Sequence, residues 1–149
     1  MAWDVFDLYA GIGGLGMGFE RAGFTSKGAI DVWNKAIEAN ARLFNHKATV
    51  ANVMDADSIV LESGWDAENG ILVGGPPCQG FSLSGDRDPK DPRNSLFMDY
   101  LRFVNVFKPK FFVLENVMGM LSAKPGGKSI PTLMSKAFNE IGYVIPEIS

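Results

Sequence analysis

Val5-Phe-Asp-Leu-Tyr-Ala-Gly-Ile-Gly-Gly-Leu-Gly16 starts as a short apolar strand and ends in a cluster of glycines. A strand that runs into glycines and then into an amphipathic stretch is the first half of a strand–turn–helix unit. Working outward, the same alternation recurs. A helix is expected from Gly14 to Ala22, a strand over Phe24–Ile30, and an amphipathic helix over Lys35–Phe44. A weak strand near Thr49–Val53 and a short helix near Ser58–Ser63 follow, then the strand Ile71–Val73. Phe81–Pro92 is polar and rich in Gly, Asp and Pro, which reads as a loop. Asn94–Phe107 places Leu96, Phe97, Tyr100, Leu101, Val104 and Phe107 on one helical face. Phe111–Leu114 reads as a buried strand, Pro131–Ile141 as a helix and Tyr143–Ile148 as a last strand. Strands alternating with helices imply an α/β fold with a mostly parallel sheet covered on both faces.

The chain has 149 residues and 46% apolar content, enough for one domain with a real core. Its apolar runs are too short to span a bilayer, and the first residues lack the basic and apolar segments of a signal peptide. One cysteine and one histidine exclude an internal disulfide and argue against a structural zinc or other metal site. A reducing, cytoplasmic setting is the expectation. Fourteen basic against seventeen acidic residues give a net charge of −3, which is wrong for a chain that grips nucleic acid unaided.

Gly11, Gly13 and Gly16 fit G-x-G-x-x-G, and Asp31 stands at the end of the second expected strand. Glycines let the backbone turn sharply toward a ligand, and a carboxylate placed there can take two ribose hydroxyls. This pattern fits NAD about as well as S-adenosylmethionine, and a tight turn with no ligand would share it.

Ile71–Val73 leads into Gly74-Gly-Pro-Pro-Cys-Gln-Gly80. The prolines stiffen the turn that presents Cys78. A lone cysteine is more often an inert core residue than a nucleophile, but a core cysteine has no use for a rigid turn beside a cofactor cleft. Glu115, directly after the apolar run Phe111–Leu114, would be costly inside the sheet. At the strand's carboxyl end it is expected half-buried in the same cleft, although an ion pair or a turn cap would also account for it. A nucleophile and a carboxyl group in one cleft suggest covalent catalysis on a polar substrate.

At these residues the chain resembles the cytosine-C5 DNA methyltransferase family. Asp7-Leu-Tyr-Ala-Gly-Ile-Gly-Gly14 is similar to its first motif, Gly75-Pro-Pro-Cys-Gln-Gly-Phe-Ser82 to its catalytic motif and Glu115-Asn-Val117 to the next. Arg93 through Phe97 and Lys108-Pro109-Lys110 match the spacing between them. The resemblance implies a Rossmann-like, S-adenosylmethionine-dependent fold that is incomplete at its C-terminal end. It implies Cys78 as the nucleophile that adds to cytosine C6, and Glu115 as the group that holds a proton at N3. Pro77, Gln79, Ser82 and Ser84 would meet the flipped-out base and its DNA, with the Phe81–Pro92 loop, which also carries Arg87, closing over it.

For the cofactor, the resemblance places Tyr9, Ala10, Gly11, Gly13 and Gly14 round S-adenosylmethionine. It puts Asp31 on the ribose, Val32 against the adenine, Asn52 and Val53 near the adenine amine, and Pro76 and Leu96 at the pocket wall. Family members are usually at least twice this length. They continue through an arginine-bearing strand and a target-recognition domain, so the resemblance implies a second polypeptide carrying those parts and most of the DNA grip. A relative acting on transfer RNA and a non-catalytic module of the same fold are the alternatives.

Overall fold

The computed structural model describes residues 2–77, 95–116 and 129–146. Among the described residues, five strands form one sheet: β1 Asp4–Leu8, β2 Thr25–Asp31, β3 Lys47–Val50, β4 Gly70–Gly74 and β5 Phe111–Leu114. The helices are α1 Gly14–Arg21, α2 Asn34–Leu43, α3 Asp57–Glu62, α4 Ser95–Phe107 and α5 Ile130–Glu140. The strand order is β3-β2-β1-β4-β5, with every neighbouring pair parallel. The chain therefore winds outward from β1 to β3 and then returns to place β4 on β1's other side. That reversal makes the carboxyl ends of β1 and β4 the place where loops part and a ligand crevice opens.

Of the described residues, those up to Pro76 together with Val106–Glu115 form one compact unit, which holds the whole sheet with α1, α2 and α3. Val5 to Leu8 of its middle strand are all buried, because both faces are covered there. Val5 packs with Ile71 and Val73, against which Trp3, Leu15, Phe19 and Phe24 lie. Phe6 points the other way, as alternate strand residues must, and its ring lies 5.9 Å from that of Trp65. The described residues among 77–105 and 116–146 form the second unit, which contains most of α4 and all of α5. There Phe97 meets Phe138 edge-on at 5.7 Å. Ser129 caps α5 by accepting from the Thr132 N–H at 3.3 Å, and Pro131 suits the first turn.

Three expectations about elements need correction. β3 occupies Lys47–Val50 rather than Thr49–Val53, because the Asn52 side chain accepts from Met54 N–H and starts a 3-10 turn over Val53–Asp55. The last expected strand, Tyr143–Ile148, is absent from its described part, residues 143–146. Gly142, at φ 97°, and Tyr143 turn their N–H groups back to the carbonyls of Asn139 and Phe138 to close α5, and Pro146 has no N–H to give a ladder. β5 is less buried than its apolar run suggested, with Phe111 54% and Val113 38% exposed. It is the last strand in the sheet order, with β4 at its side.

Candidate functional site

β1 ends at Leu8, and Tyr9 then takes a left-handed conformation, φ 55°, which a side-chain-bearing residue adopts at a cost. That sharp exit swings the chain into the glycine loop. Ala10 N–H donates to the Ile30 carbonyl, and Gly13 N–H to the Ala10 carbonyl, so the loop is tied to β2 and folded on itself. Gly13, at φ 99°, starts α1.

Asp31, at the end of β2, holds this loop. Its Oδ2 accepts from Gly11 N–H at 2.8 Å and its Oδ1 from Trp33 N–H at 2.8 Å. Each carboxylate oxygen has a second lone pair, so two acceptor positions are left for a ligand's hydroxyls. Val32 is 68% exposed beside it, and the neighbouring Trp33, to which the sequence reading gave no role, is 62% exposed.

A cleft of about 320 Å³ opens where the sheet order reverses, lined by Asp7, Tyr9, Ala10, Leu15, Gly75 and Glu115. Glu115 leaves β5 with its N–H donating to the Gly74 carbonyl at 2.9 Å. Its Oε2 lies so close over Gly75 that a Cβ there would stand 2.8 Å from it. The glutamate expected half-buried is exposed, because it ends the outermost strand. It does face the cleft.

Asp7 is the residue that sequence reasoning placed in a motif but gave no part in the site. It is 2% exposed, one residue before the end of β1, and its Oδ2 accepts from Gly16 N–H at 3.2 Å. A Cβ on Gly16 would stand 3.1 Å from that oxygen, so the third glycine is what lets helix and carboxyl meet. Burial pushes Asp7 from 3.8 up to about 7, with a smaller push from the Asp31 charge and an opposing pull from the Gly16 hydrogen bond. The signal was present in sequence: a lone acid inside the apolar run Val5–Leu8.

Between about pH 4 and 7 the folded chain thus holds a proton that the unfolded chain has released, so raising the pH through that window favours unfolding. Asp7→Asn keeps an acceptor for Gly16 and removes the titration. Relative to this variant, we expect the parent to lose on the order of 2–4 kcal/mol of urea stability between pH 4 and 8. Parallel pH profiles for the two proteins would contradict the assignment.

The remaining expected residues are spread. Gly14 is exposed at the start of α1, and Pro76 is buried after β4. Asn52 is exposed, its amide oxygen already accepting from Met54 N–H at 3.1 Å. Val53 is 2% exposed and its side chain belongs to the core. Leu96 is on α4 and Pro77 is exposed, both in the second unit. Cys78, Gln79, Ser82, Ser84 and the loop that carries the last two lie outside the described residues. Among the described residues no acidic, histidine or cysteine cluster could hold a metal, and no helix is long and apolar enough to cross a membrane.

The arrangement is that of a ligand crevice at a switch point. It combines a switch-point cleft of ligand size, a glycine loop, a carboxylate at the end of β2 and a second, buried carboxyl in the cleft wall.

Comparison with known proteins agrees. The family model for C-5 cytosine-specific DNA methylases matches residues 3–148. The type II methyltransferase M.DdeI of Desulfomicrobium norvegicum is 41% identical over 150 residues, which cover 95% of this chain and 34% of that protein. The type II methyltransferase M.AquIA of Picosynechococcus is 36% identical, covering 96% of this chain and 59% of its own. Among solved structures, a putative DNA modification methyltransferase encoded within an E. coli prophage superposes with a TM-score of 0.71 at 31% identity, over 93% of this chain and 37% of that one. The S. pombe Dnmt2 methyltransferase, 19% identical with a TM-score of 0.66 over 95% of this chain and 40% of its own, shares the fold. The chain thus spans about a third of the length of M.DdeI.

Proposed function

The chain belongs to the C-5 cytosine-specific DNA methylase family, and we propose that it is the cofactor-binding and catalytic part of an enzyme that methylates cytosine in DNA at C5. S-adenosylmethionine is the methyl donor of this family. The observation that carries the reading is the cleft at the β1/β4 switch point, which Asp7 and Glu115 line together with Tyr9 and Ala10 at the start of the glycine loop.

When bound, the cofactor supplies an electrophilic methyl group. In this reading Tyr9, Ala10, Gly11, Gly13 and Gly14 surround it, Asp31 takes the ribose hydroxyls and Val32 flanks the adenine. Asn52, Val53, Pro76 and Leu96 are the remaining candidates for contact with the cofactor. Cytosine C5 is too weak a nucleophile to take the methyl group directly. Cys78 adds as thiolate to C6 of a flipped-out base, which makes C5 electron-rich, while Glu115 holds a proton at N3 to neutralise the charge that develops. Loss of the C5 proton and expulsion of the Cys78 thiolate complete the turnover. Pro77, Gln79, Ser82 and Ser84 contact the base and its strand. The named relatives are type II methyltransferases, which supports a place in a restriction-modification system.

A second polypeptide completes the enzyme in this reading. Alignment with this chain fills 34% of M.DdeI but 59% of M.AquIA, so the family carries this half on chains of different length. The net charge of −3 leaves phosphate contacts to other parts. The test is transfer of labelled methyl from S-adenosylmethionine to DNA, with transfer RNA as the control, for residues 1–149 alone and with a co-expressed second chain. Transfer to DNA only in the pair is expected. Labelling of transfer RNA alone, or site-specific methylation by a lone monomer, would overturn the corresponding part. In the active pair, Glu115→Gln should slow turnover about 10²- to 10⁴-fold, and an unchanged rate would remove Glu115 from the reaction.

A further inference from the structure

Gly11, at the tip of the cofactor loop, is held by both of its backbone polar groups. Its N–H donates to Asp31, and its carbonyl accepts from Asn40 Nδ2 at 3.5 Å. Asn40, on α2, is 0% exposed, an uncommon place for an amide. Its Oδ1 lies 2.9 Å from His46 Nε2. The His46 ring stacks on Phe44 with centroids 4.7 Å apart. The Phe44 ring and the Asn40 amide in turn close the space beside Gly13. A single histidine has thus been placed behind the loop, one amide away from it.

We propose that His46 is a positioning residue for cofactor binding, acting through the Asn40 amide to fix the carbonyl of Gly11; this rests on the reading of the glycine loop as the cofactor site. The chain of donors and acceptors has one consistent direction. A carbonyl oxygen attracts only a donor, so the Asn40 NH₂ group faces Gly11 and its amide oxygen faces His46. That oxygen in turn needs a donor, so His46 carries its proton on Nε2. Nδ1 is then a bare lone pair, consistent with its being buried without a hydrogen-bond partner among the described residues; an N–H orphaned there would be the rarer arrangement. Burial also lowers the pKa of His46, which keeps the ring neutral. With Asp31 on one side and Asn40 on the other, the loop is set before the ligand arrives, and less ordering remains to be done on binding.

The experiment uses the active protein, with its partner chain if one is required, and titrates S-adenosylmethionine calorimetrically. His46→Phe preserves a ring against Phe44 but removes the donor. His46→Gln restores an amide N–H near the place of Nε2. We expect the Phe variant to bind the cofactor about tenfold more weakly, the worth of roughly one buried hydrogen bond, and the Gln variant to recover most of that. With ¹⁵N-histidine incorporated in this chain alone, His46 is the one signal, and long-range proton–nitrogen correlation should show a neutral ring protonated on Nε2. A ring protonated on Nδ1, or Phe and Gln variants that bind equally, would overturn the proposal on its own. A parent protein that binds no S-adenosylmethionine would instead overturn the cofactor reading, and the positioning role with it.

Discussion

Gly13→Ala should destabilise the chain by about 3 kcal/mol and carry the cofactor affinity down with it. Two independent effects meet at this position. Gly13 has φ 99°, a conformation that costs a side-chain-bearing residue roughly 1–2 kcal/mol. A Cβ there would also stand 2.3 Å from Phe44 Cε2 and 2.8 Å from Asn40 Nδ2. Neither neighbour has room to yield: Asn40 is 0% and Phe44 7% exposed, and overpacking of such sites adds about 1–3 kcal/mol. What yields is expected to be the loop, since pushing Asn40 away takes the donor from the Gly11 carbonyl. Gly14 is the built-in control, since a Cβ there meets nothing within 4 Å and its φ is not left-handed. Gly14→Ala should therefore leave the unfolding free energy within about 0.5 kcal/mol of the parent and the urea midpoint nearly unmoved. Equal midpoints for the two variants would show that the close approach of Phe44 and Asn40 to Gly13 is wrong.

The difference between these two adjacent glycines marks where sequence reading stops. That Gly11–Gly16 forms a strand-to-helix turn is legible because apolar periodicity changes there from a strand's to a helix's. The placement of Tyr9, Asp31, Pro76 and Glu115 at carboxyl ends of strands follows from the same alternation, and the five parallel strands bear it out. Which glycine is packed and which is free depends on Phe44 and Asn40, some thirty residues on, and no local pattern encodes that contact. Asp31 shows the same limit. Its position was readable, but its grip on Gly11 N–H across twenty residues was not. Asn52 aligns by motif with an adenine contact, and that its oxygen also accepts from Met54 N–H to start a local turn is a bond that alignment does not show. The final strand failed for a nearer reason. The apolar run Tyr143–Ile145 suggests a strand, but Gly142 closes α5 and Pro146 lacks the N–H that a ladder needs.

Cys78→Ser should separate what Gly13→Ala ruins together. In the proposed reaction the thiolate of Cys78 opens the cytosine ring to methylation, and nothing else in the chain can replace it, since it is the only cysteine. A free thiol with a pKa near ~8.5 is a few per cent ionised at neutral pH and intrinsically nucleophilic, whereas a serine hydroxyl is neither without an activating base. Turnover is therefore expected to fall by on the order of 10⁴-fold or more, as it does when an enzyme's nucleophile is removed. Cofactor affinity should stay within about twofold, because Asp7, Tyr9 and Asp31 belong to the sheet unit and the proposed role of Cys78 is toward the base. Mass spectrometry supplies the third readout. The parent, with its partner chain, should form a covalent adduct with DNA containing 5-fluorocytosine, in which the C5 substituent cannot leave as a proton, and the serine variant should form none. Turnover or adduct retained in Cys78→Ser would remove the thiolate from the mechanism, and cofactor affinity lost along with turnover would mean that Cys78 builds the pocket instead of attacking the base.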